Sequence, residues 1–227
     1  MALYVISDLH LSFSTDKPMD IFGWNDYEKI LEENWRNTVN DEDTVIIPGD
    51  ISWAMYLDEA KEDFAFIDSL PGRKIILKGN HDYWWSTLNK MNKFISDCGF
   101  TTINFLFNNS YSYNDLKICG TRGWGNNGTA DEDTRIWNRE LQRLLLSIGE
   151  GTESNIICCL HYPPTNLRGG ISEEYIEVFK KFNIDRVYYG HLHGNHEATK
   201  LPDEISGIRM SLVSCDYLGF KPLKISD

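Results

Sequence analysis

Five short apolar runs in this chain end on the same small set of residue types. The runs cover residues 3–6, 44–47, 74–77, 155–160 and 186–189. Each has the length and punctuation of a strand buried on both faces. Just beyond them stand Asp8 and His10; Asp50; Asn80 and His81; His161; and His191 and His193. Five of the six histidines fall in these positions, and the sixth, His196, reads as a surface residue. Parallel strands present their chemistry past their C-terminal ends. The pattern therefore predicts one polar site assembled from distant parts of the chain.

The segments between the runs have helical periodicity. Tyr27, Ile30, Leu31, Trp35 and Val39 recur at helical spacing, as do Leu57, Ala60, Phe64 and Ile67. Leu88, Met91, Phe94 and Ile95 give a third helix, ending near Gly99. Strand alternating with helix predicts parallel strands joined by crossover helices. From 101 to 120 the texture changes to short apolar pieces separated by Asn108-Asn109 and Asn114-Asp115, which reads as an antiparallel meander. A glycine-rich stretch, 120–128, follows and carries Arg122 and Trp124. Trp137, Leu141, Leu144, Leu145 and Ile148 mark a strongly amphipathic helix, and a shorter one surrounds Ile176 and Phe179. A run at 208–213 and a tail with Pro222 close the chain. Without a linker or internal repeat, the 227 residues read as a single domain, 1–227.

Composition narrows the function classes. The formal charge of -12 disfavours a duplex nucleic-acid binder and a polybasic membrane binder. It leaves a phosphate substrate open, because bound cations reverse the local field. No signal peptide is expected ahead of the first run, no apolar run reaches membrane length, and the five cysteines lack CxxC spacing. Cys158 and Cys159 read as buried thiols, and the expected compartment is a reducing cytoplasm. No basic amphipathic helix offers a membrane contact.

Asp8 and His10 are two apart, so an extended chain would point both at one metal. Asp, Asn and His together suit manganese, iron or zinc better than calcium. Seven ligands are too many for one tetrahedral ion but suffice for two if a carboxylate bridges, and Asp50 is placed to do so. Asp8-x-His10, Gly49-Asp50, Gly79-Asn80-His81-Asp82, His161 and Gly190-His191-x-His193 resemble, in order, the motifs of the calcineurin-like metallophosphoesterase family. The resemblance implies two mixed β-sheets packed face to face with flanking helices. It implies that Asp8, His10 and His193 hold one divalent metal, that Asn80, His161 and His191 hold a second, and that Asp50 bridges them. It also implies that His81 faces the leaving group, with Asp82 or another carboxylate keeping it protonated.

Two such metals, about 3.5–4 Å apart, would lower the pKa of a shared water for attack on phosphorus. His81 would then protonate the departing oxygen. Arg122 either clamps a phosphate or makes a surface salt bridge. Trp53, Trp84 and Trp85 either stack on a base or sugar or pack behind the ligands. Protein phosphatases of the family follow the bridging aspartate with an Asp-Arg pair. Here Asp50-Ile51-Ser52-Trp53-Ala54-Met55 has no arginine. The expected substrate is therefore a small soluble or nucleotide-like phosphoester. A nuclease and a non-catalytic protein-binding scaffold on the same fold are the alternatives, and oligomeric state is open.

Overall fold

The apolar runs become strands whose alternate side chains are buried on opposite faces, so each sheet needs a cover on both sides. The structure is a computed structural model and describes residues 1–17, 19–125, 130–150 and 155–226. In chain order the strands are β1 (Leu3–Val5), β2 (Thr44–Pro48), β3 (Arg73–Leu77), β4 (Ile103–Phe105), β5 (Tyr111–Tyr113) and β6 (Leu116–Thr121). They continue with β7 (Ile156–Leu160), β8 (Ile184–Tyr189), β9 (Glu204–Ile205), β10 (Ile208–Leu212) and β11 (Leu223–Ser226). The helices are α1 (Tyr27–Thr38), α2 (Lys61–Ser69), α3 (Leu88–Cys98), α4 (Ala130–Ile148), α5 (Glu173–Lys181) and the short α6 (His196–Thr199). A 3-10 turn, Met19–Phe22, precedes α1.

The strands form two mixed sheets, ordered β11-β1-β2-β3-β4 and β5-β6-β7-β8-β10-β9. β1 to β4 are mutually parallel and β11 returns antiparallel along β1. In the second sheet β6, β7, β8 and β10 are parallel, with β5 and β9 antiparallel at the edges. Leu3, Val5, Ile46, Ile75 and Leu77 of the first sheet meet Ile118, Ile157, Cys159, Tyr188 and Val213 of the second. Tyr4, Ile6, Val45, Ile47 and Ile76 point the other way, into the apolar faces of α1, α2 and α3. Cys158 and Leu160 likewise face Leu144, Ile148 and Phe179 on the helices covering the second sheet. The two-sheet sandwich with flanking helices is therefore as expected.

The meander is a correction. Of the three strands in that stretch only β5 and β6 pair antiparallel; β4 joins the first sheet, parallel to β3. The reason lies in side-chain parity. Phe105 is buried among the aromatics on the helix side of the first sheet, whereas Leu106 faces between the sheets. The chain crosses from one sheet to the other between them and β5. The glycine-rich stretch 120–128 lies partly outside the described residues. All five cysteines are free, and Cys119, Cys158, Cys159 and Cys215 are buried. Among the described residues no helix is long and apolar enough to cross a membrane.

Candidate metal centre

The two sheets are stitched together where the site forms. Beyond β1, Ser7 N–H donates to the Val213 carbonyl at 2.8 Å, and Cys215 N–H donates to the Ser7 carbonyl at 2.9 Å. This brings the ends of β1, β2 and β3 against those of β7, β8 and β10. Asp8, His10, Asp50, Asn80 and His81 come from the first sheet; His161, His191 and His193 come from the second.

Asp8 and His10 reach the site differently from the extended geometry expected. Both have positive φ, 62° and 47°, as do Asp50 (51°) and His191 (73°). Four chemically loaded residues in the sparsely populated left-handed region are held there by their surroundings. Asp8 N–H donates to the Gly49 carbonyl at 3.0 Å and His10 N–H to the Asp50 carbonyl at 2.9 Å, which fixes the turn. The glycines of the motifs are explained by close approach. A Cβ on Gly79 would collide with the Asp50 carboxylate and backbone nitrogen, and one on Gly190 with the Asp8 carboxylate and the Ser7 hydroxyl.

The donors form two adjacent groups, Asp8, His10 and His193, and Asp50, His161 and His191; within each, the donor atoms lie within 4.8 Å of one another. Asn80 completes the second, its Oδ1 standing 2.6 Å from His161 Nε2 and 2.8 Å from His191 Nδ1. Asp50 Oδ2 lies between the groups, 3.4 Å from His161 Nε2 and 3.8 Å from His10 Nε2. In the first group His10 Nε2 and His193 Nε2 face each other at 3.3 Å, and His193 Nε2 is 3.4 Å from Asp8 Oδ1. Two imidazole nitrogens sharing one tetrahedral cation at about 2.0–2.1 Å stand at about this separation.

The electrostatics also fit cations. Burial keeps His10 and His161 neutral, lowering each pKa to about 3 against the pull of Asp8, and lowers His191 to about 4. A neutral imidazole is the form that binds metal. Burial, reinforced by the charges of Asp8 and Asp82, pushes the Asp50 carboxyl well above the carboxylate range. His193 responds in the opposite direction: burial works against its charge, yet Asp216 and Asp8 hold its pKa at about 10. Without a cation, a protonated His193 is thus the charge that the Asp8 and Asp216 carboxylates gather.

Asp216, which the sequence reading missed, accounts for His193. Its Oδ1 lies 2.9 Å from His193 Nδ1, while its Oδ2 accepts from Gly194 N–H at 3.1 Å. A carboxylate behind a ligating imidazole fixes ring and tautomer and leaves Nε2 for the metal. A signal was present, since Asp216 follows the apolar run 208–213 much as the other candidates follow theirs. His196, expected at the surface, is mostly buried and sits 3.1 Å from Asp216 Oδ2.

Asp82 is placed differently from expectation. Its fully buried carboxylate accepts from the backbone N–H groups of Gly79 (2.7 Å), Asp50 (3.0 Å), Ile51 (2.8 Å) and Ser52 (3.3 Å), and from Trp84 Nε1 (3.1 Å). It ties the β2 and β3 turns together. The His81 ring instead meets the Tyr83 hydroxyl, 3.4 Å from its Nδ1. Arg122 is likewise engaged elsewhere, its Nη2 being 3.5 Å from Glu140 Oε1 and its guanidinium stacking over Trp124. Only its carbonyl touches the site's frame, accepting from His161 N–H. Trp84 and Trp85 pack behind the site, whereas Trp53 borders it, 4.9 Å from the His10 ring and 4.4 Å from the His81 ring.

A model of the calcineurin-like phosphoesterase family matches residues 1–195. The chain belongs to that family. It is accordingly a hydrolase acting on phosphoester bonds. Solved structures agree on the fold. Phosphopantetheinyl hydrolase from Mycobacterium tuberculosis is 14% identical at a TM-score of 0.57, covering 99% of this chain and 95% of its own. Protein TT1561 of Thermus thermophilus is 13% identical at a TM-score of 0.56, covering 100% and 99%. A protein of unknown function from Aquifex aeolicus is 19% identical at a TM-score of 0.55, covering 98% and 95%. No curated protein matches by sequence.

Proposed function

We propose that this phosphoesterase hydrolyses a small phosphomono- or phosphodiester and that its two donor groups each hold a divalent cation. The observation that carries this reading is Asp50 Oδ2, within 3.8 Å of imidazoles from both groups. Asp8, His10 and His193 would hold one ion, and Asn80, His161 and His191 the other, with Asp50 available to both. When bound, the ions supply a nucleophile at neutral pH and neutralise the phosphate oxygens. The mixed donors suit manganese, iron or zinc.

The chain's own residues supply the rest. Asp216 orients His193. Asp82 holds the backbone that presents Asp50. His81, whose backbone N–H donates to Asp50 Oδ1 at 2.8 Å, turns its imidazole toward the cleft and protonates the departing oxygen. The five unpaired thiols support a reducing, cytoplasmic setting.

The test is turnover by the manganese-loaded chain. The substrates are bis(p-nitrophenyl) phosphate, the monoester, and a panel of cyclic nucleotides, dinucleotides, pyrophosphates and phosphopantetheinyl esters. Hydrolysis should be abolished in Asp50→Asn. A folded, metal-loaded protein that hydrolyses none of these would overturn the proposal.

A further inference from the structure

The cleft leading to the first donor group is walled by aromatic and apolar side chains. It has a volume of about 360 Å³; Met19, Phe22, Trp24 and Trp53 line it together with the polar His10, His81, His193 and Asp216. That volume falls in the range of small-molecule sites, roughly 300–1,000 Å³. Trp53 lies nearly parallel to the His10 ring, at 25°, and packs against His81. Trp24 meets His10 and His193 edge-on, at 5.9 and 5.5 Å. The turn Met19–Phe22 reaches the cleft through Met19 and Phe22, and on it Ile21 and Phe22 stand 76% and 66% exposed. Two large apolar side chains held in water beside a polar site mark a contact surface. Lys17 places its ammonium 5.7 Å from the Trp53 ring, a cation at the rim of an otherwise acidic chain.

A phosphoryl group alone needs none of this. It needs charge, which the donor groups and their ions provide. From these residues we infer that the substrate is an ester whose leaving group carries a flat aromatic body, received between Trp53 and Phe22 on the His81 side of the centre. The inference rests on the phosphoesterase reading, because His81 marks the leaving-group side. It commits to an aromatic rather than a linear aliphatic group, because three of the side chains lining the cleft, Phe22, Trp24 and Trp53, are aromatic and aromatic rings favour ring partners. Trp53 is then a specificity-determining residue. The cleft is continuous with the centre, so one molecule spans both.

Binding of non-hydrolysable phosphonates separates this inference from the catalytic reading. Methylphosphonate, n-butylphosphonate and 2-naphthylphosphonate would be titrated calorimetrically into the manganese-loaded protein. The naphthyl compound should bind at least about tenfold tighter than the butyl one. Phe22→Ser, at an exposed position whose change spares the core, should reduce that preference several-fold, and Trp53→Leu should remove it. In turnover, the ratio of kcat/KM for 2-naphthyl phosphate over glycerol phosphate should fall in parallel. Equal affinities for the butyl and naphthyl compounds, or a preference that survives both substitutions, would overturn the inference while leaving the esterase reading intact. Absence of binding by all three, together with absence of turnover, would remove both.

Discussion

At the scale of single residues, the site separates groups by the company their polar atoms keep. The candidates in the metal groups face one another with nitrogens and oxygens 2.6–3.8 Å apart. Asp82, one residue beyond His81 in the chain, faces only donors. Its Oδ2 accepts from Gly79 and Asp50, and its Oδ1 from Ile51, Ser52 and Trp84. Asp82→Asn would put an amide NH2 against at least two of these N–H groups in either orientation. An unsatisfied buried donor costs about 1–3 kcal/mol, so the variant should lose about 2–4 kcal/mol in denaturant unfolding. If Asp82 acted instead through the His81 imidazole, stability would be unchanged and only the pH profile of turnover would move. The sequence marked Asp82 as important through its place in Gly79-Asn80-His81-Asp82 but could not show which way its carboxylate turns. Arg122 is similar: a glycine-rich neighbourhood says nothing of Glu140, which lies on a helix further along the chain.

At the scale of elements, the strands bearing chemistry were legible because each is a continuous apolar run with abrupt punctuation. Those that were misread or missed are short or half-exposed. β4 has three residues and its neighbour in sequence belongs to the other sheet. β11 is half-exposed and edges its sheet, so its pattern carries little signal. One strand residue is unexpected in a different way. Lys74 lies in β3 yet is fully buried on the helix side. Its ammonium caps the C-terminal end of α2, donating to the Leu70 carbonyl, and contacts Thr102 Oγ1 at 3.1 Å. Burial lowers its pKa from 10.5 to about 8, against the pull of Asp68. The folded protein therefore binds fewer protons at this site than the unfolded chain between pH 8 and 10.5, and stability gained from Lys74 rises with pH across that window. Lys74→Met, which fills the space without the donor, isolates the effect. The stability difference between wild type and variant should widen in favour of wild type by about 2 kcal/mol from about pH 7 to about pH 10. A difference independent of pH, measured by urea unfolding, would show that the buried amine keeps its ordinary pKa.

At the scale of the whole molecule, the two sheets share an apolar interface but present their polar ends to a common centre. Asp8, His10, Asp50 and Asn80 leave one sheet; His161, His191 and His193 leave the other. Cations held there would cross-link the sheets and relieve repulsion within a chain of net charge -12, in a pocket where Asp8, Asp50 and Asp82 lie close together. The unfolded chain keeps none of this geometry, so binding is coupled to stability. A ligand at a hundred times its dissociation constant adds about 2.7 kcal/mol. For a chain of this length each kcal/mol moves the midpoint by about 2–4 °C. Manganese should therefore raise the melting temperature by about 5–10 °C over a chelator-treated sample, and EDTA should reverse it. Asp50→Asn, which replaces the carboxylate standing between the two groups by a neutral amide, should show most of that increment lost, whereas Phe22→Ser, on the lip of the cleft, should retain it. Identical melting curves with and without metal would mean that these seven side chains do not close on cations at all, and the polar ends of the two sheets would then be joined by direct hydrogen bonds alone, such as those of Ser7 with Val213 and Cys215 and of His191 N–H with Asp8.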